Sequence, residues 1–140
     1  MFEDVVTGEL LPEFEITVTL TTLVTYAAGT WDFHRLHYDP AFAGRAGLRA
    51  PAMDGQMAGG LLARQLMLWG GPDAFVRRLA YRLRNMVFQD DRIRLRGEIT
   101  GTTLEQGRAL ALCRMQIMKS DGTEVIRDAS AAVELQCRSG

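Results

Sequence analysis

Gly55-Gln56-Met57-Ala58-Gly59-Gly60-Leu61-Leu62-Ala63-Arg64-Gln65-Leu66-Met67-Leu68-Trp69 is the stretch that decides the fold. Asp54 ahead of it is a suitable N-cap, and Gly70-Gly71-Pro72 behind it ends a helix firmly. Met57, Ala58, Leu61, Leu62, Leu66, Met67, Leu68 and Trp69 cover most of the circumference, and only Gln56, Arg64 and Gln65 are strongly polar. A helix apolar nearly all round is enclosed on most sides, not laid against one surface. Gly59 and Gly60 each cost about 1 kcal/mol relative to alanine inside a helix. They imply close approach of a strand, or of a second helix across a dimer.

What encloses the helix is read on either side of it. Glu13–Leu20, Arg92–Thr100 and Val125–Leu135 alternate apolar and polar residues with period two, as half-buried strands do. Ala109–Met118 starts apolar on both faces, like a more central strand, and Leu79–Phe88 reads as a further, less regular one. Ser120-Asp121-Gly122 is a hairpin turn, with Asp-Gly supplying the positive φ. A shorter helix is expected over Leu23–Gly29. One enclosed helix and a few antiparallel strands are compact only if the sheet curls around the helix. The expected fold is therefore α+β: a single hotdog domain over residues 1–140. Its open sheet edges and partly uncovered helix call for a dimer.

The chain has 140 residues, 47% hydrophobic and 24% charged, with a mean hydropathy of −0.04. That is enough for one core without metal or disulfide staples, and it excludes a disordered tail, a fibre or a coiled coil. No apolar run is long enough to cross a bilayer, and the acidic start (Met1–Gly8) is unlike a signal peptide, so no membrane association and a cytoplasmic location are expected. A formal net charge of −1 gives no footprint for nucleic acid. Cys113 and Cys137 make neither a disulfide framework nor a metal-ligand spacing, and both read as structural.

Both histidines, His34 and His37, fall within Asp32-Phe33-His34-Arg35-Leu36-His37-Tyr38-Asp39. On a helix, Asp32 and His37 would point about 140° apart. They converge only on a turn, and Pro40 suits a non-helical stretch before it. Three readings are open: a polar surface loop, a metal site, and a general acid–base pair. Trp31, Phe33, Leu36 and Tyr38 imply partial burial, which is costly for unpaired titratable groups. No further His or Cys cluster completes a metal site. The acid–base pair is favoured, and no metal is expected.

The run Tyr26-Ala27-Ala28-Gly29-Thr30-Trp31-Asp32-Phe33-His34-Arg35-Leu36-His37, with Asp39, Pro40 and Ala43 after it, resembles the hydratase motif of the MaoC-like dehydratase family. Pro51-Ala52-Met53-Asp54-Gly55-Gln56-Met57 is similar to that family's helix entrance, usually His-Gly-Met. The resemblance implies a hotdog fold and (R)-specific hydration of 2-enoyl thioesters or the reverse dehydration. Asp32 and His37 fall at the two catalytic positions. Trp31 stands where the family has glycine, His34 where it has asparagine, Arg35 where it has proline, and Asp54 where it has histidine. These departures bear on the pocket around the pair, and they leave open a partner subunit that completes the site.

Such chemistry needs a water at C3, a proton for C2 and donors for the thioester oxygen. Asp32 and His37 suit the first two, and the Gly55 amide at a helix N-terminus suits the third. His34 and Trp31 are expected to shape or bind substrate, with His34 taking over the asparagine's hydrogen bonds. No cofactor is expected beyond the coenzyme A or phosphopantetheine that the acyl group carries. Arg77, Arg78, Arg82 and Arg84 could meet its phosphates, or could line a solvated strand face. Expected partners are the acyl thioester and a second copy of the chain, or another hotdog subunit. Two other functions stay open: a non-catalytic acyl-thioester-binding subunit that completes a partner's site, and a thioesterase using Asp54.

Overall fold

The computed structural model describes residues 1–138. Five strands form one antiparallel sheet: β1 (Phe14–Thr17), β2 (Phe75–Ala80), β3 (Arg92–Glu105), β4 (Arg108–Lys119) and β5 (Glu124–Glu134), in the order β1-β3-β4-β5-β2. Helices α1 (Leu20–Thr30) and α2 (Pro40–Arg45) lie between β1 and the long helix α3 (Gly55–Gly70). The sheet curls around α3, which is the hotdog arrangement expected from its all-round apolarity. Met57, Ala58, Leu61, Leu62 and Leu66 of α3 share one core with Ile93, Leu95 and Ile99 of β3, Met115 and Ile117 of β4, and Val125, Ala129 and Val133 of β5. Asp54 caps α3 as expected, its Oδ1 accepting the Gln56 N–H at 2.8 Å, and Gly71 follows its end at a φ of 83°.

The boundaries depart from the sequence reading at three places. The first strand stops at Thr17 and α1 begins at Leu20, three residues earlier than expected, because Thr19 caps the helix by accepting the Thr22 N–H. Val18, though in register with the alternation, is fully buried beneath the helix start. The strand expected over Leu79–Phe88 lies instead at Phe75–Ala80, where it pairs with β5. Beyond it the chain leaves the sheet as a loop, held by an isolated bridge between Ala52 and Phe88 and by the Arg84 N–H on the Val125 carbonyl. Strand β3 runs on to Glu105, since Gln106 and Gly107, at φ 52° and 78°, make a tight two-residue turn into β4.

The two helix glycines separate. A Cβ on Gly59 would collide with the Tyr81 hydroxyl and ring, whereas Gly60 faces open space in the single chain. Tyr81 thus leaves the sheet to pack on the first turns of α3, and its hydroxyl donates to the Gly55 carbonyl at 3.1 Å. This carries the 81–88 loop across the helix N-terminus, where the site lies. No helix among the described residues is long and apolar enough to cross a membrane.

Candidate active site

The polar turn is built by successive caps. Helix α1 ends at Trp31 in the left-handed region (φ 57°), which side chains enter at a cost of about 1–2 kcal/mol. This is why a glycine is at home there and why the next residue, Asp32, turns back. Asp32 accepts the His34 N–H through Oδ1 at 3.2 Å. His34 in turn caps a single 3-10 turn (Arg35–His37), its Nδ1 accepting the Leu36 N–H at 3.2 Å. Asp39 then caps α2, accepting the Phe42 N–H at 3.0 Å with Pro40 at the first helical position. That amide, with the Arg35 guanidinium, holds the Asp39 carboxyl below its ordinary value.

The turn brings His37 to the entrance of α3. Its Nδ1 lies 2.8 Å from the Ala52 carbonyl, which only accepts, so Nδ1 carries a hydrogen and the other ring nitrogen is left for chemistry. The Ala52 N–H donates to the Leu36 carbonyl, and the Met53 N–H to Val87, tying turn, helix entrance and 81–88 loop together. One polar atom each of Asp32, His37 and Asp54 lie within 4.8 Å of one another, and all three residues are half-buried. This trio is the set among the described residues grouped closely enough to ligate an ion, and it draws Asp54 from outside the run Asp32–Asp39. His34 and Asp39 are occupied as caps.

His37 divides two hollows. On one side is a narrow crevice between α1 and α3, lined by Leu23, Tyr26, Ala27, Asp32, His37, Asp54 and Met57. Burial there, with the charges of Asp54 and Asp32 and the nearby Tyr81, pushes the Tyr26 phenol up, so it stays neutral. On the other side is a cavity of about 290 Å³ lined by Leu36, His37, Ala52, Met53, Gly55 and residues 83–87 of the loop. The amide of Gly55, the first of α3, donates to no protein group among the described residues. A Cβ on Gly55 would stand 2.7 Å from Leu83 Cδ1, so here the space the glycine leaves is taken by the loop. Wider hollows on the outer face of the sheet are grooves between paired arginines and acids, remote from this chemistry.

The remaining sequence candidates, Arg84 apart, line neither hollow. Trp31 is 83% exposed and meets Phe33 edge-on. His34 packs edge-on against Phe42 and His37. Arg77 pairs with Glu134 and Arg78 with both oxygens of Glu105, so these two belong to a solvated strand face; Arg84 lines the cavity beside Gly55. Cys113 is buried, which pushes its thiol up to about 12, and Cys137 is exposed. Asp54 was legible in sequence as a cap and as a departure from His-Gly-Met; its closeness to Asp32 and His37 was not.

A hotdog sheet around one helix, with an Asp–His pair at that helix's entrance, is the arrangement that the resemblance to the MaoC-like dehydratases implies. Residues 2–112 match the family model described as the MaoC like domain, and the chain belongs to the MaoC-like dehydratase family. It is 30% identical over 95 residues to the 3-oxo-4,17-pregnadiene-20-carboxyl-CoA hydratase beta subunit of Mycobacterium tuberculosis, covering 68% of this chain and 74% of that one. It superposes on the ChsH1-ChsH2 complex of M. tuberculosis with a TM-score of 0.82 at 24% identity, over 94% of this chain and 98% of that one. For the (R)-hydratase of A. caviae involved in PHA biosynthesis the TM-score is 0.84 at 21% identity, over 96% and 99%. At those two identities the likeness is one of fold.

Proposed function

We propose that this chain hydrates a 2-enoyl thioester to the 3-hydroxyacyl thioester, or runs the reverse dehydration, with Asp32 and His37 as the acid–base pair. The supporting observation is their convergence, within 4.8 Å, at the N-terminus of α3, beside an amide with no protein acceptor. Water attacks C3 as a carboxylate takes its proton. The C2=C3 pair shifts toward the thioester, whose oxygen gathers charge against the Gly55 N–H and the positive end of α3. C2 then takes the Nε2 proton of His37 in its imidazolium form, and the carboxylate's proton restores it. The substrate brings its own coenzyme A or phosphopantetheine, and Arg84, which lines the cavity beside Gly55, is proposed to meet it.

The chain is further proposed to work as a dimer or with another hotdog subunit, as one domain. Strands β1 and β2 leave two free sheet edges, and Met67 and Leu68 of α3 are exposed. One solved neighbour is a two-protein complex and the curated relative is a beta subunit. The test is loss of enoyl-thioester absorbance with the purified chain, over acyl groups from short to polycyclic. Turnover that His37→Gln abolishes is expected. Turnover by wild type and His37→Gln alike would contradict the reading. Activity only on adding a second subunit would make this chain one half of the site, and release of free thiol would make it a thioesterase.

A further inference from the structure

The hydratase reading leaves the second carboxylate of the crevice without a task. Asp54 comes from the N-terminus of α3, Asp32 and His37 from the turn after α1, and one polar atom of each lies within 4.8 Å of the others. For three points so spaced there is a position no more than about 2.8 Å from all of them, the length of a hydrogen bond. Asp54 is fixed by the fold, since its Oδ1 is committed to the Gln56 N–H. No arginine or lysine is paired with it among the described residues. Among the described residues, its charged or titratable neighbours lining the crevice are Asp32, His37 and the neutral phenol of Tyr26.

We infer that Asp54 is a further catalytic residue, holding the reacting water jointly with Asp32 and His37; this rests on the hydratase reading above. A water at the common position donates one O–H to each carboxylate and accepts the Nε2–H of His37 in its imidazolium form, whose Nδ1–H stays on the Ala52 carbonyl. One lone pair is then left, aimed by the three partners, for C3. With Asp32 alone, the second O–H would be free to swing, and the water's orientation would be lost. As the C3–O bond forms, one carboxylate takes the water's proton and the C2=C3 electron pair moves to C2. C2 takes the Nε2 proton of the imidazolium, leaving neutral imidazole, and the carboxylate then returns the water's proton to Nε2, so nothing is left over. In the resting crevice Leu23, Tyr26, Ala27 and Met57 leave no free volume for a water. For a water to enter, these side chains must part when substrate binds.

The test is Asp54→Asn, because asparagine caps a helix as well as aspartate and keeps its shape while losing the charge. The expected result is a kcat about 10²-fold lower, with KM within roughly twofold and an unchanged melting temperature. Asp54→Ser, another good cap, gives the same loss if the charge is what matters. A kcat unchanged or raised in Asp54→Asn, in a protein that His37→Gln inactivates, would overturn the inference. A carboxylate that merely sits near the oxyanion must speed the reaction when neutralised. Activity lost to a chelator and restored by one equivalent of a divalent ion would also overturn it, by making the trio a ligand set. Absence of hydration by the wild-type protein would instead remove the hydratase reading itself.

Discussion

Two regions of this molecule are dense in charge, and they are built in opposite ways. On the outer face of the sheet acids meet bases in a ladder: Arg92 and Arg94 on Glu15, Arg96 on Glu13, Arg114 on Glu98, Arg127 on Glu124. In the crevice, Asp32 and Asp54 share a half-buried space with one histidine and no arginine or lysine. The ladder is complementary and wet, so it keeps an open sheet face soluble and contributes little stability. The crevice gathers like charges where water is scarce, which a fold selected for stability alone would avoid. Charge that is paired serves the structure, and charge left unpaired in a crevice marks the chemistry.

The comparison can be broken by moving one charge at a time. The largest effects belong to the crevice: Asp32→Asn and His37→Gln are each expected to lower kcat by about 10²–10⁴-fold. The melting temperature of Asp32→Asn should hold or rise, since it removes one of two crowded like charges. That of His37→Gln should hold, since glutamine can keep the bond to Ala52. A collapse of stability in either variant would make the crevice structural and erase the contrast.

Asp91 provides an intermediate case, a charge that is both enclosed and paired. It binds Lys119, the chain's one lysine, at 2.7 Å, and also Arg49 and the Phe88 N–H, joining the loop before β3 to the end of β4. Burial pushes its carboxyl up, but Lys119, the Phe88 amide and Arg49 outweigh this and leave it below the ordinary value. The ionised form is therefore favoured in the folded chain. The stability it contributes is present above about pH 4, the unfolded value, and is lost as pH falls through the lower folded one. Asp91→Asn should cost about 1–3 kcal/mol at neutral pH, by orphaning Lys119. It should also flatten the acid limb of a melting-temperature profile while leaving kcat alone. The smallest effect is on the ladder: Arg96→Gln should change stability by about 1 kcal/mol or less, shrinking further in salt, with turnover unaffected.

Which features were legible in sequence follows from the range of the forces involved. Helix α3 and the strands around it announce themselves by periodicity, because burial acts on every residue of an element. The Asp32–His37 pairing was legible as a turn, since the stops and caps of that turn (Trp31, His34, Asp39, Pro40) are all local. The end of β1 was not: Val18 and Leu20 continue the alternation, and only the Thr19 cap shows that the chain has begun a helix. Strand β2 was displaced because its partners on β5, Ser130 to Glu134, lie far along the chain and set its register. Asp54 was explained by its cap, and nothing local shows that the turn after α1 folds against it. Long-range contacts of that kind leave no period in the sequence.

The central claim is that Asp32 and His37 act on one water as a unit, and a double-variant cycle tests it most directly. The quantity is kcat for hydration of one good enoyl-CoA substrate by wild type, Asp32→Asn, His37→Gln and the double variant, with melting temperatures alongside. Groups that serve one step lose their effect together. The account predicts a double variant no slower than about the poorer single one, on four proteins of similar stability. Losses that multiply across the two sites, or a His37→Gln protein at the wild-type rate, would contradict it.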